Sequence, residues 1–147
     1  LIELLVVIII IGILSAIALP SFLSQANRAR QSEAKQYIAS LNKGQQAFYV
    51  ENNVFTTEVA DLGLGIKTAT QNYTYSIGTT TLNGGDAATA VTSAAASGLA
   101  TYGGAVYLVT AGGGNTSETI ICEHTDTTAP KYKFEQVDCS TNDWKDL

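Results

Sequence analysis

Residues 1–22 read LIELLVVIIIIGILSAIALPSF, and this run of aliphatic side chains decides the fold. Between Leu4 and Leu19 only Gly12 and Ser15 are not hydrophobic, and a helix that is apolar on every side is buried all round or embedded in lipid. As a helix this stretch spans about 24 Å, and its apolar flanks bring it close to the roughly 30 Å hydrocarbon core. An acid precedes the run and no small-residue cleavage site follows, so we expect a retained membrane helix rather than a cleaved signal peptide.

Gly12 and Pro20 weaken the helix that this run predicts. Pro20 has no N–H for the carbonyl of Ala16, so a continuous helix is expected to bend there. Gly12 lowers helix propensity by about 1 kcal/mol relative to alanine. The stretch between them is predicted to be the least stable part of the helix.

The second half of the helix is predicted to be amphipathic, from Ser21 to about Asn52. The predicted buried positions recur at helical spacing and are Ala34, Tyr37, Ile38, Leu41, Gln45 and Phe48. A helix of about fifty residues is too long to lie wholly inside a small domain, so its first half is expected to protrude. We therefore divide the chain into a protruding half-helix, residues 1–29, and a globular head, residues 30–147.

After the helix, the pattern favours a sheet. Strands are predicted at Tyr73–Ile77, Ala105–Ala111 and Thr116–Glu123. Gly112–Gly114 indicates a hairpin, and a last strand is expected at Lys131–Val137. Asp86, before an alanine-rich run ending at Gly98, suggests one short helix. The predicted fold is α+β, with the second half of the long helix packed on an antiparallel sheet of three or four strands.

Charge restricts the partners of the chain. Of its 8 basic and 13 acidic residues, four basic and two acidic ones lie in residues 1–50, so this part has a net charge of +2 and the rest −7. The acidic head argues against a nucleic acid partner. The basic section just past the apolar run could face anionic lipid headgroups, the acidic part of a neighbouring chain, or only solvent.

Cysteine usage points to an oxidising compartment. Cys122 and Cys139 are the two cysteines. In a chain that leaves the cytoplasm they are best interpreted as one disulfide, with two free thiols in a reducing compartment as the alternative.

Catalytic and metal chemistry find little support, so we expect no enzyme, no cofactor, no metal and no small-molecule ligand. His124 is the only histidine and is expected at the surface, and the glycine clusters lack the lysine and spacing of a P-loop. Asp138, Asp143 and Asp146 could bind calcium, but their spacing fits no EF-hand. Glycosylation sequons of low specificity begin at Asn72 and Asn115.

Glu3 is the candidate assembly residue. An ionised carboxylate in an apolar segment costs several kcal/mol unless it is paired or reaches an interface. If identical helices bundle, the nearest cation that another copy supplies is its N-terminal ammonium. Alternatively, Glu3 only ends the membrane span at the headgroups.

The stretch LIELLVVIIIIGILSAIALPSF resembles the N-terminal segment of type IV pilins and of the related type II secretion pseudopilins. The resemblance is specific over residues 1–30, weak over residues 31–52 and absent beyond. Members of this family begin with an N-methylated phenylalanine followed by a threonine. The chain contains no Met and begins with Leu1, so we expect it to be processed or truncated and to lack those two residues.

The resemblance implies how the chain assembles. Glu3 would neutralise the amine of a neighbouring subunit, and the stretch from Gly12 to Pro20 would lose helicity when subunits pass from membrane to filament. Cys122 and Cys139 would form a disulfide that holds the C-terminal loop in place. The membrane span, and later the filament core, is expected to contain Leu4, Leu5, Val6, Val7, Ile8, Ile9, Ile10, Ile11, Ile13, Leu14, Ile17 and Leu19.

We therefore expect a structural subunit that forms a helical homo-oligomer. It would wait in the inner membrane and be moved by a pilus assembly machinery into an extracellular filament at the cell surface, for adhesion, motility or DNA uptake. The alternatives are a type II secretion pseudopilin and a membrane-tethered binding module that never polymerises. The expected disulfide favours the pilin over the pseudopilin.

Overall fold

One long helix dominates the computed structural model, which describes residues 1–124, 139 and 144–147. Helix α1 is Ile2–Asn52 and continues through Gly12 and Pro20, which confirms the predicted long helix. It ends because Asn53 takes a left-handed backbone conformation with φ 58°, and its N–H donates to the carbonyl of Tyr49 at 2.7 Å. Asparagine tolerates this conformation and commonly ends helices.

The rest of the head is an antiparallel sheet in the order β1-β2-β3-β4-β5. The strands are β1 Tyr73–Leu82, β2 Gly85–Ala94, β3 Thr101–Ala111, β4 Gly114–His124 and β5 Trp144–Asp146. A short 3-10 helix, Val59–Leu62, lies between α1 and β1. The predicted α+β class is confirmed, and the sheet has five strands rather than three or four.

The short helix expected between Asp86 and Gly98 is wrong, because that segment contains β2. Asn83 and Gly84 both have positive φ, 51° and 78°. Two successive residues in this conformation make the two-residue hairpin turn whose twist matches paired strands. The turn therefore pairs the alanine-rich segment with β1 in full register. The strand expected at Lys131–Val137 lies outside the described residues.

The second half of α1 packs on one face of the sheet. Ile38 and Leu41 are fully buried there with Tyr73, Tyr75 and Tyr102. Of the predicted buried positions on α1, Ala34, Ile38, Leu41 and Gln45 are buried, and Tyr37 and Phe48 are half-buried. The sequence periodicity therefore identified the face of the helix that the sheet covers.

The opposite face of the sheet has its own buried cluster. Successive strand residues point to opposite faces, and β3 is buried on both from Thr101 to Tyr107. The second cluster contains Leu82, Ala87, Ala105, Tyr107, Cys122 and Cys139. His124 is also buried, 8% exposed, rather than at the surface as expected. It ends β4 between Thr101 of β3 and Trp144 of β5, so it belongs to the interior of the sheet and not to a loop.

Candidate assembly surface

The first half of α1 is an aliphatic surface that nothing in the described structure covers. The exposed fraction of its large apolar side chains, from Ile2 to Leu23, lies between 45% and 79%. The helix is long and apolar enough to cross a membrane, and none of its most apolar stretch is buried. Soluble monomers rarely expose a contiguous apolar patch of this kind, and those that do usually bind a membrane or another protein there.

The head begins to cover the helix near Ala26 and Asn27, the first half-buried residues of α1. A Cβ built on Gly98, in the connection between β2 and β3, would lie 3.9 Å from the side-chain nitrogen of Asn27. The exposed segment is therefore Ile2–Gln25, which we call the bare half-helix.

The three predicted assembly residues are spread along the bare half-helix and do not come together within one chain. Glu3 lies in the first turn of α1 and is exposed. A Cβ added to Gly12 would meet no atom within 4 Å. Pro20 lies inside the helix, roughly 26 Å from Glu3 at 1.5 Å per residue. Since none of them packs against the head, a role for these residues requires an environment outside the subunit.

Polar side chains that sequence reasoning missed tie α1 to the head. Glu33 accepts hydrogen bonds from the amide of Asn72 at 2.7 Å and from the hydroxyl of Tyr75 at 3.4 Å. Hydrogen bonds from Thr70, Asn72 and Tyr75 hold the pKa of the Glu33 carboxyl below its usual value, against an opposing effect of burial. The periodicity of the sequence places Glu33 on the exposed side of the helix. Nothing in the neighbouring sequence indicates that its hydrogen-bond partners lie about forty residues further along the chain.

Two glutamines near the C-terminal end of α1 bind other parts of the head, one the segment that follows the helix and the other strand β4. Gln45 binds the backbone of Thr56 twice, donating to its carbonyl at 2.7 Å and accepting from its N–H at 3.1 Å. Gln46 donates to the hydroxyl of Ser117 on β4 at 2.9 Å. These bonds fix the end of α1 that lies far from the bare half-helix.

The buried tyrosines are structural rather than reactive. Tyr73 donates to the carbonyl of Ala100 at 2.8 Å, and burial, reinforced by Glu33 and Glu123, raises its pKa to about 12. Burial likewise raises the pKa of Tyr75 and of Tyr102. These hydroxyls therefore stay protonated at neutral pH and offer no nucleophile.

The disulfide links Cys122 of β4 to Cys139 with a Cα–Cα distance of 5.6 Å. Both cysteines are buried in the cluster on the sheet face opposite α1. The bond closes a loop with a sequence separation of 17, and a loop of this size stabilises a fold by about 3 kcal/mol.

The calcium site considered for the C-terminal aspartates lies mostly outside the described residues. Of the candidate calcium ligands, Asp138 and Asp143 lie outside the described residues, and Asp146 is the last residue of β5. Within residues 1–124, 139 and 144–147, no group of three or more His, Cys, Asp or Glu side chains could hold a metal ion.

Comparison with known proteins gives consistent matches. Residues 31–140 match the family model described as "Type IV pilin-like G and H". The chain is 40% identical over 78 residues to the type IV wide pilus major component PilA4 of Thermus thermophilus, covering 52% of this chain and 60% of that protein. It is 41% identical over 63 residues to the type IV major pilin protein PilA of Myxococcus xanthus, covering 43% of this chain and 29% of that protein.

The aligned part of this chain covers less than two thirds of the length of either curated relative. No solved structure matches it. The family match nevertheless extends over most of the head and complements the pilin-like sequence of the bare half-helix. The chain belongs to the type IV pilin family.

Proposed function

We propose that this chain is the structural subunit of an extracellular type IV pilus, in which the bare half-helices of many copies bundle to form the filament core. The observation that carries the proposal is the bare half-helix, whose large aliphatic side chains are all exposed in the single chain. Burial of apolar surface is favourable by about 25 cal/mol per Å², so this surface requires lipid or other protein.

In both proposed states of the subunit, in the membrane and in the filament, this surface is shielded from water. Before assembly, residues 1–29 lie in the inner membrane and the head, residues 30–147, lies outside the cytoplasm. An assembly machinery then extracts the subunit, and contacts with sister helices replace contacts with lipid. The curated relatives are named as major pilus components, which supports a shaft subunit. The exposed head would mediate adhesion, motility or DNA uptake at the cell surface.

Glu3 is proposed to direct assembly rather than insertion. Inside a helix bundle its carboxylate would be desolvated, and an ionised group there needs a cation. The N-terminal ammonium of an adjacent subunit is the nearest cation that a copy of the chain supplies. Between Gly12 and Pro20, local loss of helicity would let the helices pack in the filament.

The Glu3→Ala variant tests this role. We expect it to accumulate in the membrane at the wild-type level and to yield no filaments, because the bundle loses the pair that sets the register of neighbours. The Ser15→Ala variant changes a polar residue of the same segment without altering charge, so it should assemble normally. Electron microscopy of sheared cell-surface material, with membrane fractions in parallel, gives both measurements. Normal filaments from Glu3→Ala would refute the pairing.

The same images separate the proposed pilus from its alternatives. A tethered binding module that never polymerises gives no fibres from the wild-type chain, and a pseudopilin gives none at the cell surface. The disulfide between Cys122 and Cys139 favours the surface pilus, as expected from the sequence.

A further inference from the structure

The two ends of the head carry opposite charge. Arg28 and Arg30 are exposed on α1, just past the bare half-helix. Neither forms an ion pair in the part of the chain that the structure describes, where Lys35–Glu123 at 3.8 Å is the only salt bridge. At the other end, Glu51 in the last turn of α1 and Asp86 near the β1–β2 turn are both exposed.

Asp86 lies in an open groove beyond the C-terminal end of α1, with a volume of about 480 Å³. We call this the distal groove, and it is lined by Val54, Phe55, Thr79, Thr80, Thr81, Asp86 and Ala87. It combines an aromatic ring and an exposed valine with hydroxyl groups and a carboxylate. An arginine suits such a surface, because its stem packs on apolar groups and its planar guanidinium binds carboxylates and stacks on rings.

The C-terminal end of α1 also lacks a positive charge. A helix C-terminus carries a partial negative charge, which a nearby cation stabilises. The last turn of α1 contains Glu51 and no basic residue. Within one chain this arrangement is unfavourable, and a cation from a second molecule would relieve both the helix end and Glu51.

The proposed bundle brings such a cation to this place. From Asn27 to Asn52, α1 runs through the head for roughly 38 Å at 1.5 Å per residue. Two parallel copies stacked one above the other along the filament axis cannot have their heads in the same place. The upper copy must therefore be displaced along the axis by about this length. Arg28 and Arg30 of the upper copy then lie level with the distal groove of the copy below.

We propose that the distal end of the head, with Asp86 in the distal groove and Glu51 in the last turn of α1, receives Arg28 and Arg30 of a second copy of this chain. Since residues two apart on a helix point to different sides, one arginine enters the groove and pairs with Asp86, and the other lies outside it and pairs with Glu51. The inference rests on the proposed filament and adds a contact between heads to the contact between half-helices. The two surfaces differ, so the contact repeats from copy to copy without closing, as a filament requires.

Cross-linking in assembled filaments tests the contact directly. A chain carrying both Arg30→Cys and Asp86→Cys should give, after mild oxidation of sheared filaments, a ladder of covalent oligomers on a non-reducing gel. The matched control combines Arg30→Cys with Asn115→Cys, an exposed position at the β3–β4 turn of the same end of the head. We expect no ladder from the control, and a ladder from the control as strong as from the Asp86 pair would overturn the proposal.

Charge reversal gives a second, independent test. Because like charges juxtaposed at an interface cost several kcal/mol, Arg28→Glu with Arg30→Glu should lower the yield of sheared filaments by at least about tenfold. Adding Glu51→Lys and Asp86→Lys to the same chain should restore it. Lys43→Glu reverses an exposed charge of α1 away from both surfaces and should change the yield less than about twofold.

The outcomes separate this inference from the proposed function. If the wild-type chain forms no filaments, both fail. If it forms filaments but the Asp86 pair gives no ladder and the charge swap gives no rescue, the head contact is wrong and the helix bundle stands. If the chain carrying Arg30→Cys and Asp86→Cys forms no filaments, the charge-reversal variants decide the question alone. Restored filament yield in the fourfold variant then supports the contact, and an unrestored yield overturns it.

Discussion

Gly104 sets the distance between α1 and the sheet. A Cβ at this position would lie 2.6 Å from the Cγ2 of Ile38 and under 3 Å from both side-chain atoms of the Asn42 amide. Gly104→Ala must therefore push the helix off the sheet, and such overpacking costs about 1–3 kcal/mol. Urea unfolding of the full chain in detergent measures this loss. Gly114→Ala, where an added Cβ meets nothing within 4 Å, should change stability by under about 0.5 kcal/mol.

Glu33 should make the head sensitive to acid. Its pKa in the folded protein lies below the ordinary value of 4.5, chiefly because of the hydrogen bond from Thr70. A carboxyl whose pKa is lower in the folded than in the unfolded protein stabilises the fold fully at pH values above its unfolded pKa. This stabilisation is lost as the pH falls through the pKa of the folded protein. Between pH 5 and pH 3, wild-type stability should therefore fall more steeply than that of Glu33→Gln, in urea titrations at each pH. Parallel curves for the two chains would contradict the assignment.

Residue positions inside the head show what the sequence could predict. Gln45 was identified as buried because it lies at the helical spacing of Ile38 and Leu41. The requirement for glycine at position 104 could not be predicted, since it depends on the approach of Ile38 and Asn42, some sixty residues earlier in the chain. Likewise, the partners of Glu33 are fixed by the fold and not by local spacing.

At the scale of the element, the stretch from Gly12 to Pro20 should control assembly through helix stability. Pro20→Ala gives the carbonyl of Ala16 a hydrogen-bond donor and removes a ring clash, which together stabilise a helix by about 3 kcal/mol or more. If this stretch must lose helicity, the variant should show higher helicity in detergent by circular dichroism and a lower yield of filaments. Ser21→Ala, one residue further along, serves as the control. Raised helicity with an unchanged filament yield would contradict a melting step.

The β2 strand shows why one element was predicted wrongly. Alanine favours helices, and Asp86 looked like a helix start. The dipeptide Asn83-Gly84 was the overriding signal, because both residues readily take the positive φ of a two-residue hairpin turn. The glycine pair Gly112-Gly113 was interpreted correctly, and the structure places a turn there between β3 and β4.

At the scale of the whole molecule, the division of the chain after residue 29 stays a prediction, made from the uneven spread of apolar residues and the length of the helix. In the structure, cover by the head begins at Ala26 and Asn27, because the connection between β2 and β3 reaches down to Asn27. The distal groove could not be predicted from the sequence either, since it joins residues that follow α1 and residues of the β1–β2 hairpin.

Removal of residues 1–24 should separate stability from assembly. The buried contacts of α1 come from Ala34 and later residues, so the shortened chain should keep the core and melt within a few degrees of the full chain. Without the aliphatic surface it should be monomeric in water without detergent, as light scattering with size-exclusion chromatography would show. The matched comparison removes residues 1–33, which deletes the tie from Glu33 to Asn72 and should lower the melting temperature. A shortened chain that still forms filaments would place the main assembly contacts in the head and leave the bare half-helix as a membrane anchor alone.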